Sequence, residues 1–166
     1  YDYTVVRVGT ERLIFAKDLV EEVMKKAGIE EYEIEEDFKG KALAGIVCKH
    51  PFLDRTSTVV TGTEDSVNVE LGTGSGCVHC APSYGKEDYL LGLKHNSEII
   101  VTVDSKGVQR GDGAGPFKDM YYAKSDKEII KWLEENNLLL ARKVNKKGSV
   151  KLAEPFCLMW VINFIP

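Results

Sequence analysis

Apolar side chains recur at helical spacing in three stretches of the chain, and each stretch is predicted to form a helix. In "AKDLVEEVMKKAG" the apolar residues share one face, and Gly28 supplies a C-terminal stop. "KEDYLLGLKHN" has a second such pattern, which ends at Asn96. "SDKEIIKWLEENN" is the third, with Ser125 and Glu128 placed as a capping box. Most of the remaining apolar residues must therefore lie in strands.

Between these helices, short runs of β-branched and alternating apolar residues predict about eight or nine strands. "YTVVRVG" and "RLIFA" are predicted to form a hairpin that turns at residues 9–11. The other predicted strands are "YEIEEDF" and "KALAGIVCKHPF" around a turn at Lys39 and Gly40, "TSTVVTG" and "SVNVELG" around Glu64 and Asp65, "GCVHCAP" closed by Pro82, "IIVTVD", and "LLLARKV". Because strands come in runs, we expect a mixed α/β fold with a β-barrel-like, antiparallel-rich core and about three flanking helices.

Composition indicates an ordinary globular chain. It has 166 residues, 43% hydrophobic and 29% charged, which is enough for one domain with its own core. The formal net charge of -4 argues against bulk binding of nucleic acid. Neither a membrane-length apolar run nor a signal peptide is visible, so we expect a monomer in the cytoplasm. Since Tyr1 is not Met and lies within a predicted strand, we expect a piece excised from a longer protein.

Residues 71–92, "LGTGSGCVHCAPSYGKEDYLLG", concentrate the chemistry-bearing side chains and fit several kinds of site. A phosphate-binding loop is disfavoured because these glycines precede a predicted strand, whereas such a loop runs from a strand directly into a helix. A thiol redox pair is disfavoured because Cys80 lies several residues before the predicted helix and not at its N-terminus.

A zinc site is the third interpretation, because Cys77, His79 and Cys80, with Cys48 and His50, offer enough soft ligands. On a strand, however, Cys77 and His79 would share one face and Cys80 the other, so the two cysteines could not bind one ion together. The competing interpretation is that the cysteines are small buried hydrophobic residues. His50, which precedes a proline, is expected to be a structural turn residue.

The fourth interpretation treats the whole stretch as one ligand pocket. Glycines let the backbone approach a ligand closely, and His79 projects from the strand that follows them. Asp88 falls in the first turn of the second predicted helix, where the helix dipole stabilises an ionised carboxylate. A carboxylate that faces a glycine-lined cavity is suited to an ammonium group. The competing interpretation is that Asp88 only starts the helix.

The residues "GTGSGCVHCAPSYGKEDY" resemble the signature "GTGxVHxAPxxGxEDY" of the editing domain that is inserted into the catalytic core of isoleucyl-tRNA synthetases, which are class I enzymes. The resemblance covers residues 3–144, because "AKDLVEEVM", "FKGKALAG", "HPFLDRTSTVV", the glycine-rich loop at 107–117 and "KEIIKWLEENNLLL" follow in the family's order. Valyl and leucyl relatives generally have another residue at His79, which favours the isoleucyl branch. By this resemblance, residues 1–166 are a single editing domain.

The resemblance implies hydrolysis of valine wrongly attached to the isoleucine tRNA, without a metal or cofactor; ATP and Mg²⁺ would serve only the full-length synthetase. It implies that Asp88 holds the α-ammonium group, and that His79 either excludes the larger side chain of isoleucine or helps to position the water. The partners would be the valine-charged 3′ end of tRNA(Ile) and the parent catalytic core. Residues implied to shape the pocket are Thr73, Gly74, Ser75, Gly76, Cys80, Ser83 and Tyr84.

Three features depart from the family pattern. The family has a Thr-rich wall of the same pocket N-terminal to the position of Tyr1, so a non-catalytic module that binds the tRNA 3′ end is the alternative. Ser83 and Tyr84 stand where bacterial members often have Gly-His. Residues 145–166 form an atypical exit segment, whose apolar run "CLMWVINFIP" would need a partner. Basic residues that either meet a tRNA backbone or form a solvated strand end are Arg142, Lys143, Lys146, Lys147 and Lys151.

Overall fold

The computed structural model describes residues 1–62, 74–144 and 150–155, with only the backbone for 141–144 and 150–155. The described elements are β1 (Asp2–Val8), β2 (Glu11–Ala16), α1 (Val20–Ala27), β3 (Glu33–Lys39), β4 (Val47–Lys49), β5 (Thr56–Thr58), α2 (Lys86–Lys94), α3 (Tyr122–Glu135), β6 (Leu139–Val144) and β7 (Val150–Pro155). The mixed α/β class is confirmed. The barrel-like core is not, because the described strands form three separate antiparallel sheets, ordered β2-β1-β3, β4-β5 and β6-β7.

The three-stranded sheet is built around β1, which pairs antiparallel with β2 on one side and with β3 on the other. The predicted hairpin is confirmed, since β1 and β2 are joined by a two-residue turn at Gly9 and Thr10. Thr4 and Val6 in β1 are fully buried, and the Thr4 hydroxyl donates a hydrogen bond of 2.9 Å to the carbonyl oxygen of Glu36 in β3. The central strand β1 therefore contributes buried residues to the core and a side-chain hydrogen bond to β3.

The apolar face of α1 belongs to the same buried core as residues of β1 and β2, as its spacing predicts. A 3₁₀ turn at Lys17–Leu19 precedes it. The helix ends at Gly28, whose φ of 70° is the left-handed conformation that glycine adopts readily. The amide of Ile29 then donates to the carbonyl oxygen of Met24 over 3.0 Å. The buried residues of this region are Leu19, Val20, Val23 and Met24.

The region after β3 differs from its prediction. Residues predicted as one long strand form a 3₁₀ turn at Gly40–Leu43 and then the three-residue strand β4, which pairs with β5. The chain after the predicted turn at Lys39 and Gly40 does not pair with β3. Instead, β3 pairs with the free edge of β1. The predicted strand "SVNVELG" and the turn at Glu64 and Asp65 lie outside the described residues.

Helix α3 confirms the third predicted helix but begins earlier than its capping box indicates. The helix starts at Tyr122, no side chain caps its N-terminus, and Ser125 is fully buried inside it. The Ser125 hydroxyl donates to the carbonyl oxygen of Tyr122 over 2.8 Å and accepts from Nε2 of Gln109 over 3.2 Å, so it is not available as a cap. Of the predicted strand "IIVTVD", only Val103 makes a bridge, to Gln109. Across the described ranges, no helix is both long and apolar enough to cross a bilayer.

Candidate functional site

Ser75 and Gly76 of the glycine-rich stretch are held against β1 and β2. The Ser75 carbonyl oxygen accepts a 2.8 Å hydrogen bond from the amide of Ala16, at the end of β2. The Gly76 carbonyl oxygen accepts a 2.5 Å hydrogen bond from the hydroxyl of the buried Tyr3. Gly76 has a φ of 86°, and a Cβ added to it would lie 2.3 Å from the Cβ of Ala16. A glycine is required at this position by the fold itself, and Thr73, predicted to line the pocket beside it, lies outside the described residues.

Residues 77–80 are not a strand, which corrects the prediction made from "GCVHCAP". Their exposure does not alternate, since Cys77 and Cys80 are half-buried while Val78 and His79 are exposed. The assignment of Cys77 and His79 to one face was therefore wrong. The physical reason is that the backbone on either side is held by Tyr3, Ala16 and the first turn of α2, and not by a strand ladder.

Asp88 lies in the first turn of α2 and is half-buried. Its Oδ2 accepts a 3.0 Å hydrogen bond from the amide of Ala81, and its carbonyl oxygen accepts a 3.6 Å contact from the thiol of Cys80. These contacts bring the chain that carries His79 to the start of α2. Asp88 therefore has a structural role in the turn that follows His79.

The turn at residues 81–85 is seated on α2 by close packing. Gly92 is buried in the last turn of the helix, and a Cβ added there would lie 2.8 Å from Cγ of Pro82. The amide of Tyr84 donates to the carbonyl oxygen of Ala81 over 2.9 Å, which closes the turn. The absence of a side chain at Gly92 thus sets how closely the turn approaches the helix that carries Asp88.

Ser83 and Tyr84, both predicted to line the pocket, bind another part of the chain. The Ser83 hydroxyl donates to the carbonyl oxygen of Ile100 over 2.5 Å. The Tyr84 phenolic oxygen accepts hydrogen bonds from the amides of Thr102 at 2.7 Å and Val103 at 2.9 Å. Burial alone would raise the pKa of Tyr84, but its hydrogen bonds with the Thr102 hydroxyl and with these two amides outweigh burial and lower the pKa. Sequence reasoning missed Ile100, Thr102 and Val103 as supports of the site, because nothing in "IIVTVD" marks backbone groups that receive side chains.

Of the three described cysteines, Cys48 is buried, and Cys77 and Cys80 are half-buried. Burial, together with the nearby charge of Asp88, raises the pKa of the Cys80 thiol, and burial raises that of Cys48. A protonated thiol is a poor nucleophile and a poor metal ligand. Among the described residues, no three His, Cys, Asp or Glu side chains lie together in a group that could hold a metal ion.

His50 is held in the turn between β4 and β5, in agreement with the structural role expected for it. Its Nδ1 accepts a 3.2 Å hydrogen bond from the amide of Leu53, and its ring stands edge-on to Phe52 with centroids 4.6 Å apart. Burial lowers the pKa of His50 to about 4, with smaller contributions from Arg55 and His79.

For the basic residues predicted to contact tRNA, the structure describes at most the backbone. The backbone of Arg142 and Lys143 belongs to β6, and that of Lys151 to β7. Lys146 and Lys147 lie outside the described residues. Contact between this run and a tRNA backbone stays a prediction.

No protein-family profile matches the chain. It is 43% identical over 157 residues to the isoleucine–tRNA ligase of Petrotoga mobilis, an alignment that covers 95% of the chain and 16% of that protein. It is 46% identical over 140 residues to the isoleucine–tRNA ligase of Caldicellulosiruptor bescii, covering 84% of the chain and 15% of the relative. It is 42% identical over 143 residues to the isoleucine–tRNA ligase of Caldanaerobacter subterraneus, an alignment that covers 86% of the chain and 15% of that protein. The chain thus spans 15–16% of the length of these curated relatives.

Proposed function

The chain belongs to the isoleucine–tRNA ligase family, matching one segment of its members, and we propose that this segment is the editing domain. Its reaction is hydrolysis of the ester that joins valine to tRNA(Ile). Water adds to the ester carbonyl carbon, the bond to the ribose oxygen breaks, and free valine and free tRNA leave. A synthetic site cannot reject a side chain one methylene smaller strongly enough, and isoleucyl-tRNA synthetase is itself the standard example of this limit.

The observation that carries this proposal is the placement of Asp88. Its Oδ2 is fixed by the amide of Ala81, at the N-terminal turn of a helix whose dipole favours an ionised carboxylate. A fixed anion is suited to hold the α-ammonium group of an aminoacyl ester and so to orient its carbonyl carbon. The Cys80 thiol contacts the backbone carbonyl oxygen of Asp88, which ties the residue after His79 to the first turn of α2.

His79 is the second residue of the proposed site. Its side chain is exposed, so it is free to meet a bound aminoacyl group. It acts by flanking the valine side chain, which leaves too little room for isoleucine, or by orienting the attacking water. An aminoacyl ester is already labile, so orientation of the water supplies most of what the reaction needs. Editing requires no cofactor in this scheme, and ATP and Mg²⁺ would serve only the full-length synthetase.

The partners of the proposed domain are the valine-charged 3′ end of tRNA(Ile) and the catalytic core of the parent synthetase. A net charge of -4 does not favour broad contact with tRNA. Recognition is therefore concentrated at the 3′ end, with the run that includes Arg142 and Lys143 as the contact to the phosphate backbone.

The test is deacylation of valyl-tRNA(Ile) by this chain and by three variants. Asp88→Asn keeps an oxygen that accepts from the Ala81 amide but removes the charge, so it separates the binding role from the structural role. We expect Asp88→Asn and Asp88→Ala each to lose at least roughly tenfold in kcat/KM, as expected for a lost charge contact. Glu87→Ala, which removes an exposed acid from the same helical turn, is the matched control and is expected to keep full activity.

Two outcomes would contradict the proposal. Wild-type activity in Asp88→Asn would mean that Asp88 only starts the helix. Binding of valyl-tRNA without turnover by the wild-type chain would favour a non-catalytic module for the tRNA 3′ end.

A further inference from the structure

Two side chains of the turn at residues 81–85 bind the backbone of residues 100–103. The Ser83 hydroxyl donates to the carbonyl oxygen of Ile100, and the Tyr84 hydroxyl lies within hydrogen-bond distance of three groups: the amides of Thr102 and Val103 and the hydroxyl of Thr102, at 2.7, 2.9 and 3.0 Å. These two anchors come from consecutive residues. They tie the turn to a second part of the chain 17 to 19 residues further on.

The Tyr84 hydroxyl is fully committed to this contact. Two amides donate to its oxygen, and the Thr102 hydroxyl forms a third hydrogen bond with it. Its ring is nevertheless exposed, with 56% of the residue accessible. A tyrosine that buried its ring for stability would show the opposite arrangement. The polar end of Tyr84 is therefore the part that the fold uses, and it has no hydrogen bond left to offer a substrate.

The contacts of Tyr84 lead directly to Asp88. Its amide donates to the carbonyl oxygen of Ala81, and the amide of Ala81 donates to Oδ2 of Asp88. A shift of Tyr84 therefore moves Ala81, the residue that fixes one oxygen of the carboxylate. On the other side, residues 100–103 are held by the amide of Arg110, which donates to the Thr102 carbonyl oxygen over 2.6 Å.

We propose that Tyr84, assisted by Ser83, is a positioning residue that holds the Asp88 carboxylate in place through Ala81. The inference rests on the proposed function, since it concerns the same site. It reassigns Ser83 and Tyr84 from contacts with the substrate to supports of a residue that binds it. Misplacement of a binding group by a distance of the order of 1 Å weakens catalysis by as much as about a hundredfold, so these hydrogen bonds control how well the site binds.

The test is a double-mutant cycle on binding, which needs no turnover. The probe is adenosine whose 3′ position carries valine through an amide bond, an analogue that cannot be hydrolysed as an ester. Tyr84→Phe keeps the ring and removes the hydroxyl, and we expect it to raise Kd roughly tenfold. In the Asp88→Ala background the same substitution is expected to change Kd less than about twofold, because a residue that acts only through Asp88 has nothing left to position.

Two controls separate positioning from general damage. Tyr89→Phe removes a hydroxyl from another exposed tyrosine, on α2 itself, and is expected to leave Kd unchanged. Ser83→Thr keeps the hydroxyl and is expected to restore the affinity lost in Ser83→Ala. Amide hydrogen exchange at Thr102 and Val103 is expected to accelerate in Tyr84→Phe and not in Tyr89→Phe.

The inference is overturned if Tyr84→Phe raises Kd equally with and without Asp88, if it leaves Kd unchanged, or if the wild-type chain does not bind the analogue. If the analogue binds with the expected coupling but valyl-tRNA is not deacylated, the proposed hydrolysis fails while the positioning role stands. If Tyr84→Phe raises Kd equally in both backgrounds while the wild-type chain deacylates valyl-tRNA normally, the positioning role fails and the proposed hydrolysis stands.

Discussion

Gly76 and Ala16 lie so close that a single added carbon at Gly76 would come within 2.3 Å of the Ala16 Cβ. Gly76 also has a φ of 86°, a conformation that other L-residues rarely adopt. The glycine of the motif is thus fixed by two separate constraints, one on the backbone and one on packing. Neither depends on a bound substrate.

These constraints can be separated with a matched pair of variants. Gly28 has a φ of 70° and no atom within 4 Å of an added Cβ, so Gly28→Ala tests the backbone term alone. We expect it to lower the free energy of unfolding by about 1 kcal/mol. Gly76→Ala adds the clash with Ala16 and is expected to cost about 3 kcal/mol. Urea unfolding of the two variants measures the difference, and equal losses would show that the packing constraint is absent.

The Tyr3 hydroxyl is predicted to stabilise the docked glycines and to make this stabilisation sensitive to alkali. Tyr3→Phe leaves the buried Gly76 carbonyl oxygen without its partner and is expected to cost about 1 to 2 kcal/mol at pH 7. Burial, with Cys77 and Tyr1, raises the pKa of Tyr3 to about 12 from its usual 10. Since the unfolded chain loses this proton first, the contribution is complete below pH 10 and is lost as the pH rises towards 12.

The measurement is the free energy of unfolding of both proteins between pH 8 and pH 11. Other groups that titrate there affect both proteins alike, so the difference between them isolates Tyr3. The wild-type advantage is expected to shrink above pH 10. A difference that stays constant with pH would contradict the raised pKa.

Gly92→Ala tests whether packing or helix propensity dominates in α2. Alanine at a helix interior is favoured over glycine by about 1 kcal/mol, which alone would stabilise the variant. The added Cβ, however, would lie 2.8 Å from Cγ of Pro82, and overpacking of this kind costs about 1 to 3 kcal/mol. We therefore expect a net loss of stability, together with weaker binding of the aminoacyl analogue because Pro82 leads into the turn that fixes Asp88. A higher Tm for Gly92→Ala in a thermal scan would mean that the turn at residues 81–85 shifts to accommodate the added Cβ at little cost in free energy.

Much of the fold could be predicted because the signals were local. The β1–β2 hairpin, α1 with its stop at Gly28, and α2 each depend on a spacing or a turn residue within the element. The partner of β3 could not be predicted, because β3 pairs with β1 rather than with the strand predicted to follow it in sequence. Pairing of distant strands is decided by packing that no short stretch of sequence contains.

In the candidate site too, features set by local sequence could be predicted, and features set by distant contacts could not. Asp88 was placed correctly at the start of a helix, since the residues around it carry that signal. The wrong strand at residues 77–80 was predicted because the segment before Pro82 is β-rich, whereas in the structure side chains from other elements bind the backbone on either side of it. The capping box failed because burial of Ser125 against Gln109 and the preceding turn outweighed its use as a cap.

His50 is predicted to make the fold sensitive to acid. Its pKa is lowered to about 4 from 6.5, mainly by burial and further by Arg55 and His79, so the folded chain favours neutral His50. The unfolded chain takes up the proton first as pH falls, and the stabilisation present above pH 6.5 is lost on the way to pH 4. We expect the wild-type chain to lose about 2 kcal/mol between pH 7 and pH 5 relative to His50→Asn, whose amide oxygen can still accept from Leu53 but does not titrate. His95→Asn, an exposed histidine at the end of α2, is the control and should keep the wild-type slope. Urea unfolding at both pH values measures the effect, and parallel losses in wild type and His50→Asn would place the acid sensitivity elsewhere.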